Sequence, residues 1–191
     1  MGVIDGIDYG PLAALVGTWE GNKGTDTSPE PDGTEENPYF ETIVCHAAGD
    51  VTNAESQTLV IVRYHQVVSR KSNGQVFHDQ IGYWLWDASS GMLAYSITIP
   101  RAVCVLAGGT LEAKSTGPLV LEVEAALGHP DWGILQSPFM RDNAKTTAFS
   151  YTGTVDGDSF RYAETTRLEI YGRTFEHTDQ NQLVRNKSTT G

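Results

Sequence analysis

The chain has 191 residues and a formal net charge of −11, with 13 Lys and Arg residues against 24 Asp and Glu residues. So acidic a protein, with no run of basic residues, lacks the positive surface that nucleic acids and anionic membranes require, and we exclude both as partners. The length fits a single domain, residues 1–191, which is large enough to bury a core without disulfides.

The N-terminal segment MGVIDGIDYG has neither the basic residues nor the apolar run of a signal peptide. No apolar run elsewhere is long enough to cross a membrane, so we expect a cytoplasmic protein. Residues 11–15 follow and predict one short helix, because Pro11 stands in the position that proline favours in a first helical turn.

The next stretch, LVGTWEGNKG, surrounds Trp19 with glycines at positions 17, 21 and 24. Glycine is unfavourable inside a strand, but it lets a strand kink and lets another chain segment approach closely. We therefore expect the first strand of a closed sheet here, with Trp19 plugging one end and Arg185 of the last strand stacked on its ring. No helical pattern follows, which excludes a phosphate-binding glycine loop.

Alternation of apolar and polar residues with period 2 dominates the rest of the chain, and it is typical of half-buried strands. The clearest strand is 160–170, which Asp156-Gly157, a strong hairpin signal, joins to residues 147–152. The other candidate strands are 39–46, 57–69, 76–87, 92–99, 103–107, 110–114, 119–125 and the closing segment 182–185. About ten short strands with tight turns predict an all-β fold, either an antiparallel barrel or a sandwich.

Two stretches lack this alternation. Residues 22–37, rich in Gly, Pro, Ser and acidic residues, predict a long surface loop. Residues 128–143 contain HPDWGILQSPFM and predict a second loop, either functional or a simple lid over one end of the barrel. The two cysteines, Cys45 and Cys104, lie in apolar segments without metal-ligand spacing, and we expect two buried free thiols.

Several motifs resemble the nitrobindin family of haem-binding β-barrels, which belongs to the calycin superfamily together with the fatty-acid-binding proteins. The family's Gly-x-Trp-x-Gly-x-Gly is similar to GTWEGNKG, here with one extra residue before Gly24. The other similar segments are VFHDQIGYW at 76–84, ITIPR at 97–101 and EHTDQNQLVR at 176–185. The resemblance covers most of residues 12–187. It implies an up-and-down antiparallel barrel of ten strands, with one short N-terminal helix and a pocket at one open end.

The resemblance implies that this pocket binds haem b, with His177 as the iron ligand. A neutral imidazole ligates iron through one nitrogen while a hydrogen bond orients the other, and Glu176 or Asp179 is the expected partner. The alternative is that His177 is a polar turn residue facing solvent.

Four more residues are expected to contact the cofactor: His78, Thr98, Ile99 and Arg101. Arg101 would meet a propionate at the rim, unless it is a solvated loop residue. His78 shares strand parity with Gln80, and we expect both inside the barrel in one polar cluster with Glu164 and His65. The alternative for this cluster is a purely structural hydrogen-bond network.

The activity that the resemblance implies is nitric oxide binding, or the isomerisation of peroxynitrite to nitrate. A second hypothesis keeps the barrel without haem, as a carrier of a fatty acid or another small apolar anion held by Arg101 and the His78 cluster. A third is a structural domain that forms a homodimer along an exposed strand. The sequence has no G-x-S-x-G or H-E-x-x-H motif of a hydrolase.

Overall fold

The computed structural model describes residues 2–113 and 117–187. A small two-stranded sheet, β1 (Val3–Ile4) with β2 (Ile7–Asp8), and a 3₁₀ helix (Gly10–Leu15) come first. The remaining elements are β3 (Gly17–Glu30), β4 (Gly33–Asn53), β5 (Gln57–Arg70), β6 (Val76–Trp86), β7 (Met92–Ile99), β8 (Val103–Thr110), β9 (Leu119–Ala126), β10 (Ile134–Gln136), α1 (Pro138–Asn143), β11 (Ala144–Asp156), β12 (Ser159–Ile170) and β13 (Arg173–Asn186).

Ten of the strands close into an antiparallel up-and-down barrel, as predicted. Around the barrel the order is β8-β7-β6-β5-β4-β3-β13-β12-β11-β9, and β9 returns to β8 through the pair Gly108–Glu124. The short β10 pairs with the other half of β8, from 103 to 105, where β9 does not reach. No helix in the described ranges is long and apolar enough to span a membrane.

Side chains along each strand point alternately into the barrel and out to solvent, so every second residue lines the interior. On β12, Phe160 and Tyr162 are buried, whereas Arg161 and Arg167 face solvent, so one face of the strand packs in the core. The predicted hairpin joins β11 to β12, with Asp156 opposite Ser159 and the turn at residues 157–158. Gly157 has a φ of 56°, a conformation that glycine adopts at little cost.

The predicted surface loop at 22–37 is wrong. β3 and β4 continue through this stretch as one long hairpin that turns at residues 31–32, with Glu30 opposite Gly33. The sequence pattern does not predict these strands because their inward-facing side chains are polar, among them the buried Asp26 and Asn37. Without apolar residues on the inner face, no hydrophobic alternation marks the strand.

The segment 128–143 is more ordered than a loop, since it contains β10 and α1. Ile134 is buried and Leu135 is exposed, as expected for a strand. The Gln136 side-chain amide bonds the backbone N–H and C=O of Thr146, at 2.9 and 3.0 Å, which joins β10 to β11. The segment therefore closes the gap that β9 leaves beside β8.

Two smaller expectations also need correction. The candidate strand 103–107 is part of β8, which ends at Thr110. The separate strand predicted at 110–114 does not form at residues 111–113, and Lys114 lies outside the described residues. Cys45 is a buried free thiol as expected, but Cys104 is exposed. Cys104 lies between the inward-facing Val103 and Val105, so strand parity turns it outward.

Trp19 plugs one end of the barrel, as predicted. The side chain is fully buried, and its Nε1 donates a hydrogen bond of 2.7 Å to the Leu15 carbonyl. Phe160 meets the indole edge-on, with the ring centroids 5.5 Å apart. The predicted stack is present, because the Arg185 guanidinium carbon lies 4.0 Å from the centroid of the indole ring.

Each glycine around Trp19 leaves space for another side chain. A Cβ at Gly17 would overlap Arg185, one at Gly21 would overlap Asn181, and one at Gly24 would overlap the ring of Tyr39. The extra residue before Gly24 forms a bulge, since the β3–β4 pairing shifts register between Gly21 and Gly24. The bulge reverses the parity of β3, so the even-numbered residues beyond it face inward.

Candidate functional site

A cavity of about 390 Å³ occupies the end of the barrel opposite Trp19. Its two walls differ in chemistry. The polar wall comprises Asp26, His78, Gln80, Glu164, His177 and Asp179. The apolar wall comprises Ile97, Ile99, Val103, Val105 and Phe149. Such a combination, an apolar enclosure with a few converging polar groups, is typical of small-ligand sites.

His177 lies on the inward face of β13, in the polar wall of the cavity. Its Nε2 lies 2.5 Å from Asp26 Oδ1, and a third of the side chain is exposed. In the neutral form of the ring, a bond to the Asp26 carboxylate places the proton on Nε2 and the lone pair on Nδ1. Nδ1 has no hydrogen-bond partner in residues 2–113 and 117–187, so it is the nitrogen left to bind a metal or ligand.

The expected partners of His177 are wrong. Glu176 is the preceding residue on the strand, so it faces outward, where it accepts a hydrogen bond of 2.9 Å from Arg167. Asp179 faces the cavity but accepts a hydrogen bond from the hydroxyl of Tyr39 instead. Instead, Asp26 of the neighbouring strand β3 forms the hydrogen bond to His177. Asp26 was missed in the sequence because it lies in the stretch that was predicted to be a loop.

Asp26 is itself held by neighbours on the β3–β4 hairpin. Asn37 lies directly opposite, with its Nδ2 3.3 Å from Asp26 Oδ2. Burial alone would raise the pKa of Asp26, but the hydrogen bonds from His177, Asn37 and Ser28 bring that pKa below its ordinary value. The carboxylate is therefore ionised at neutral pH.

His78 faces the cavity from β6, as expected. Its Nε2 bonds Gln80 Oε1 at 3.1 Å, and the Gln80 amide donates to the hydroxyls of Tyr64 and Tyr95 at 2.8 and 2.9 Å. Burial lowers the pKa of His78, and the Gln80 hydrogen bond only partly opposes this, so the imidazole is neutral at neutral pH. His65 is not part of the cluster, since it lies on the outer face 3.2 Å from Asp79.

Glu164 faces the cavity from β12, as expected for the polar cluster. In the described part of the chain its carboxyl group has no hydrogen-bond partner, and the charged groups that act on it are all carboxyls: Asp179, Glu41 and Asp26. Burial, and then the repulsion of those carboxyls, raises the pKa of Glu164 well above its ordinary value. At neutral pH it is a neutral acid.

Behind the polar wall, two tyrosines connect two further acids. The hydroxyls of Tyr39 and Tyr162 lie 3.0 Å apart; Tyr39 bonds Asp179, and Tyr162 bonds the Glu41 carboxyl at 3.0 Å. Burial raises the pKa of Glu41 to about 8, against the hydrogen bond from Asn181, and raises that of Asp179 to about 6, against the bond from Tyr39. Of these two acids, Glu41 therefore keeps its proton at neutral pH.

The rim of the cavity carries two arginines. The Arg70 guanidinium carbon lies 4.7 Å from the centroid of the Phe77 ring, and Arg101 Nη2 is 3.4 Å from the Phe77 carbonyl oxygen. Ile99 lines the cavity as expected. Thr98 does not: strand alternation turns it to the outer surface, where its hydroxyl lies 3.7 Å from Cys104 Sγ.

The donor set at the cavity fits a haem iron. Among the described residues no group of three or more His, Cys, Asp or Glu side chains could hold a bare metal ion. A single histidine with one ring nitrogen held by a carboxylate, and the other without a partner among the described residues, matches the way that proteins orient metal-ligating imidazoles. Arg70 and Arg101 at the rim suit the carboxylates of propionates.

Comparison with known proteins agrees with this geometry. A family model described as THAP4-like, heme-binding beta-barrel domain matches residues 8–185. The crystal structure of Rv2717c from M. tuberculosis is similar, with a TM-score of 0.68 and 20% sequence identity over 92% of this chain and 95% of that chain. At that identity the likeness shows the fold alone. No curated protein matches the sequence.

Proposed function

Because the chain belongs to the THAP4-like haem-binding β-barrel domain family, we propose that it binds haem b through His177 and acts on nitric oxide or peroxynitrite. The observation that carries the proposal is the state of His177 inside the cavity. Asp26 holds its Nε2, so Nδ1 is free and carries a lone pair directed by a fixed ring. Haem iron with one protein ligand supplies an open coordination position for a small molecule.

The walls of the cavity have separate parts in this proposal. The aliphatic side chains of Ile97, Ile99 and Val105 exclude water and bury the apolar macrocycle. Arg70 and Arg101, which line the cavity, would hold its propionates by charge-assisted hydrogen bonds. His78 is neutral and bonded to Gln80, so it adds hydrogen-bonding capacity without adding charge.

The binding test is a hemin titration of the purified protein followed by absorbance in the Soret region. Wild type is expected to develop a Soret band, and His177→Ala to lose it, because the variant removes the only nitrogen assigned to the iron. His65→Ala is the matched control, since His65 is half exposed on the outer face. Equal hemin binding by wild type and His177→Ala would refute the ligation.

The reaction is tested separately on haem-loaded protein. Peroxynitrite is mixed with it, and nitrate and nitrite are quantified; faster decay with a higher nitrate share is expected for wild type. A decay rate equal to that of free hemin at the same concentration would contradict an isomerase.

The fatty-acid carrier remains the competing hypothesis, and the interior chemistry weighs against it. An anionic head group inside the cavity would face the carboxylates of Asp26 and Asp179, whereas the arginines of the cavity lining, Arg70 and Arg101, lie at the rim. Native mass spectrometry of protein purified from its own cells distinguishes the two: a haem mass supports the proposal, whereas a lipid mass supports the carrier.

A further inference from the structure

A line of hydrogen bonds leads from the cavity to the rim through one side of the β3–β4 hairpin. His177 Nε2 bonds Asp26 Oδ1 at 2.5 Å, Asn37 Nδ2 is 3.3 Å from Asp26 Oδ2, and Arg70 Nε donates to Asn37 Oδ1 at 3.2 Å. Asp26 and Asn37 are 4% and 6% exposed, so bulk water does not compete for these bonds. The Asp26 carboxylate is therefore fixed against the ring of His177.

The partner of a ligating histidine sets how strongly the imidazole donates electrons. A carboxylate that accepts the N–H proton of the ring increases the basicity of the other nitrogen more than a neutral acceptor does. An electron-rich ligand stabilises the more highly charged ferric state relative to the ferrous state, and hydrogen bonds to the axial ligand tune haem potentials in this way.

We propose that Asp26 is a positioning residue that makes His177 an electron-rich ligand and keeps the bound iron ferric. This rests on the proposed ligation by His177.

The other carboxyls of the cavity do not share this role. Asp179 bonds Tyr39, and Glu164 bonds no described residue, so neither touches the ring of His177 through a hydrogen bond. This gives a matched pair of substitutions: Asp26→Asn removes the carboxylate that bonds His177, and Glu164→Gln removes a carboxyl of the same cavity that does not.

The test is spectroelectrochemical titration of the haem-loaded proteins, with resonance Raman measurement of the iron–histidine stretch. Asp26→Asn is expected to reduce the ferric-over-ferrous preference about tenfold, which is a rise in midpoint potential of about 59 mV for one electron, and to lower the stretching frequency. Asp26→Glu should recover part of both shifts. Glu164→Gln should leave both values unchanged.

The outcomes separate this inference from the proposed function. A wild type that binds no hemin refutes both. A hemin-bound Asp26→Asn protein with the wild-type potential, or a Glu164→Gln protein shifted as far as Asp26→Asn, overturns the inference alone. If Asp26→Asn does not fold, Asn37→Leu is the deciding variant, because it keeps Asp26 but removes the hydrogen bond that Asn37 donates to it. A rise in midpoint potential smaller than that expected for Asp26→Asn supports the inference, and an unchanged potential overturns it.

Discussion

The two ends of the barrel are built from the same strands with opposite chemistry. At the closed end, β3, β12 and β13 contribute Trp19, Phe160 and Leu183, all essentially fully buried. Further along the same strands, at the open end, the inward positions hold Asp26, Glu164 and His177. One set of strands therefore supplies a packed plug at one end and a polar cavity at the other.

The two ends of the barrel contribute differently to the stability of the fold and to ligand binding. The closed end buries apolar area, and its few polar atoms bond the backbone, as Arg185 does with the Ala14 carbonyl at 2.8 Å. The open end buries carboxyls, which costs free energy even when tyrosines and amides satisfy them. Substitutions at the closed end should therefore lower stability without a direct effect on the cavity, whereas loss of His177 should abolish hemin binding and also cost stability, because the buried Asp26 carboxylate loses a hydrogen-bond partner.

The largest expected effect is that of Trp19→Ala. It removes a fully buried ring that packs on Phe160 and Arg185, and it should lower the free energy of unfolding by roughly 3–5 kcal/mol. Urea denaturation followed by circular dichroism measures it. Tyr83→Ala is the control, because Tyr83 is exposed on the outer face of β6. An unchanged midpoint for Trp19→Ala would refute the assignment of Trp19 as a structural plug.

A smaller effect is expected from Glu41→Gln, and it depends on pH. Since burial raises the pKa of Glu41 to about 8 in the folded protein, from an ordinary 4.5, the folded state binds the proton more tightly than the unfolded state. This contribution to stability is complete below about pH 4.5 and is lost as the pH rises through 8. Between pH 5 and 9 the free energy of unfolding of the wild type should therefore fall by on the order of a few kcal/mol more than that of Glu41→Gln.

The measurement is the urea midpoint of wild type and Glu41→Gln at several pH values across that window. Asp179 has a pKa raised to about 6 and titrates in both proteins, so the difference between the two curves reports Glu41 together with its repulsion by Asp179. Glu122→Gln, on the exposed face of β9, is the control. Parallel curves for wild type and Glu41→Gln would show that Glu41 does not hold its proton in the folded protein.

The closed end was predictable from the sequence, and the reason is its apolar alternation. Phe160 and Tyr162 mark the inward face of β12, and the glycines around Trp19 mark a close approach, which predicted the plug and its Arg185 stack. Hydrophobic periodicity reports only strands that bury apolar side chains on one face. Where the inner face is polar, as on β3 beyond Gly24, the same rule gives a loop.

The site was predictable only in part, for the same reason. His177 and His78 are recognisable because the motifs around them resemble a known family, but Asp26, Asn37 and Arg70 come together through strand pairing across a bulge. Even the inward direction of Asp26 depends on the extra residue before Gly24, because that residue forms the bulge that switches which residues of β3 face inward. No local pattern encodes a contact between residues 26 and 177.

Gly24→Ala should give the smallest of these effects, and it tests the boundary between the two ends. A Cβ at this position would overlap the ring of Tyr39, whose hydroxyl bonds Asp179. Overpacking of this kind costs about 1–3 kcal/mol, because the ring must move or the bulge must relax. Gly33→Ala, at the tip of the same hairpin and with open space around it, is the matched control. If the two variants unfold at the same urea concentration, the ring of Tyr39 does not require a glycine at position 24. The spacing of the glycines in GTWEGNKG would then be explained by the bulge alone.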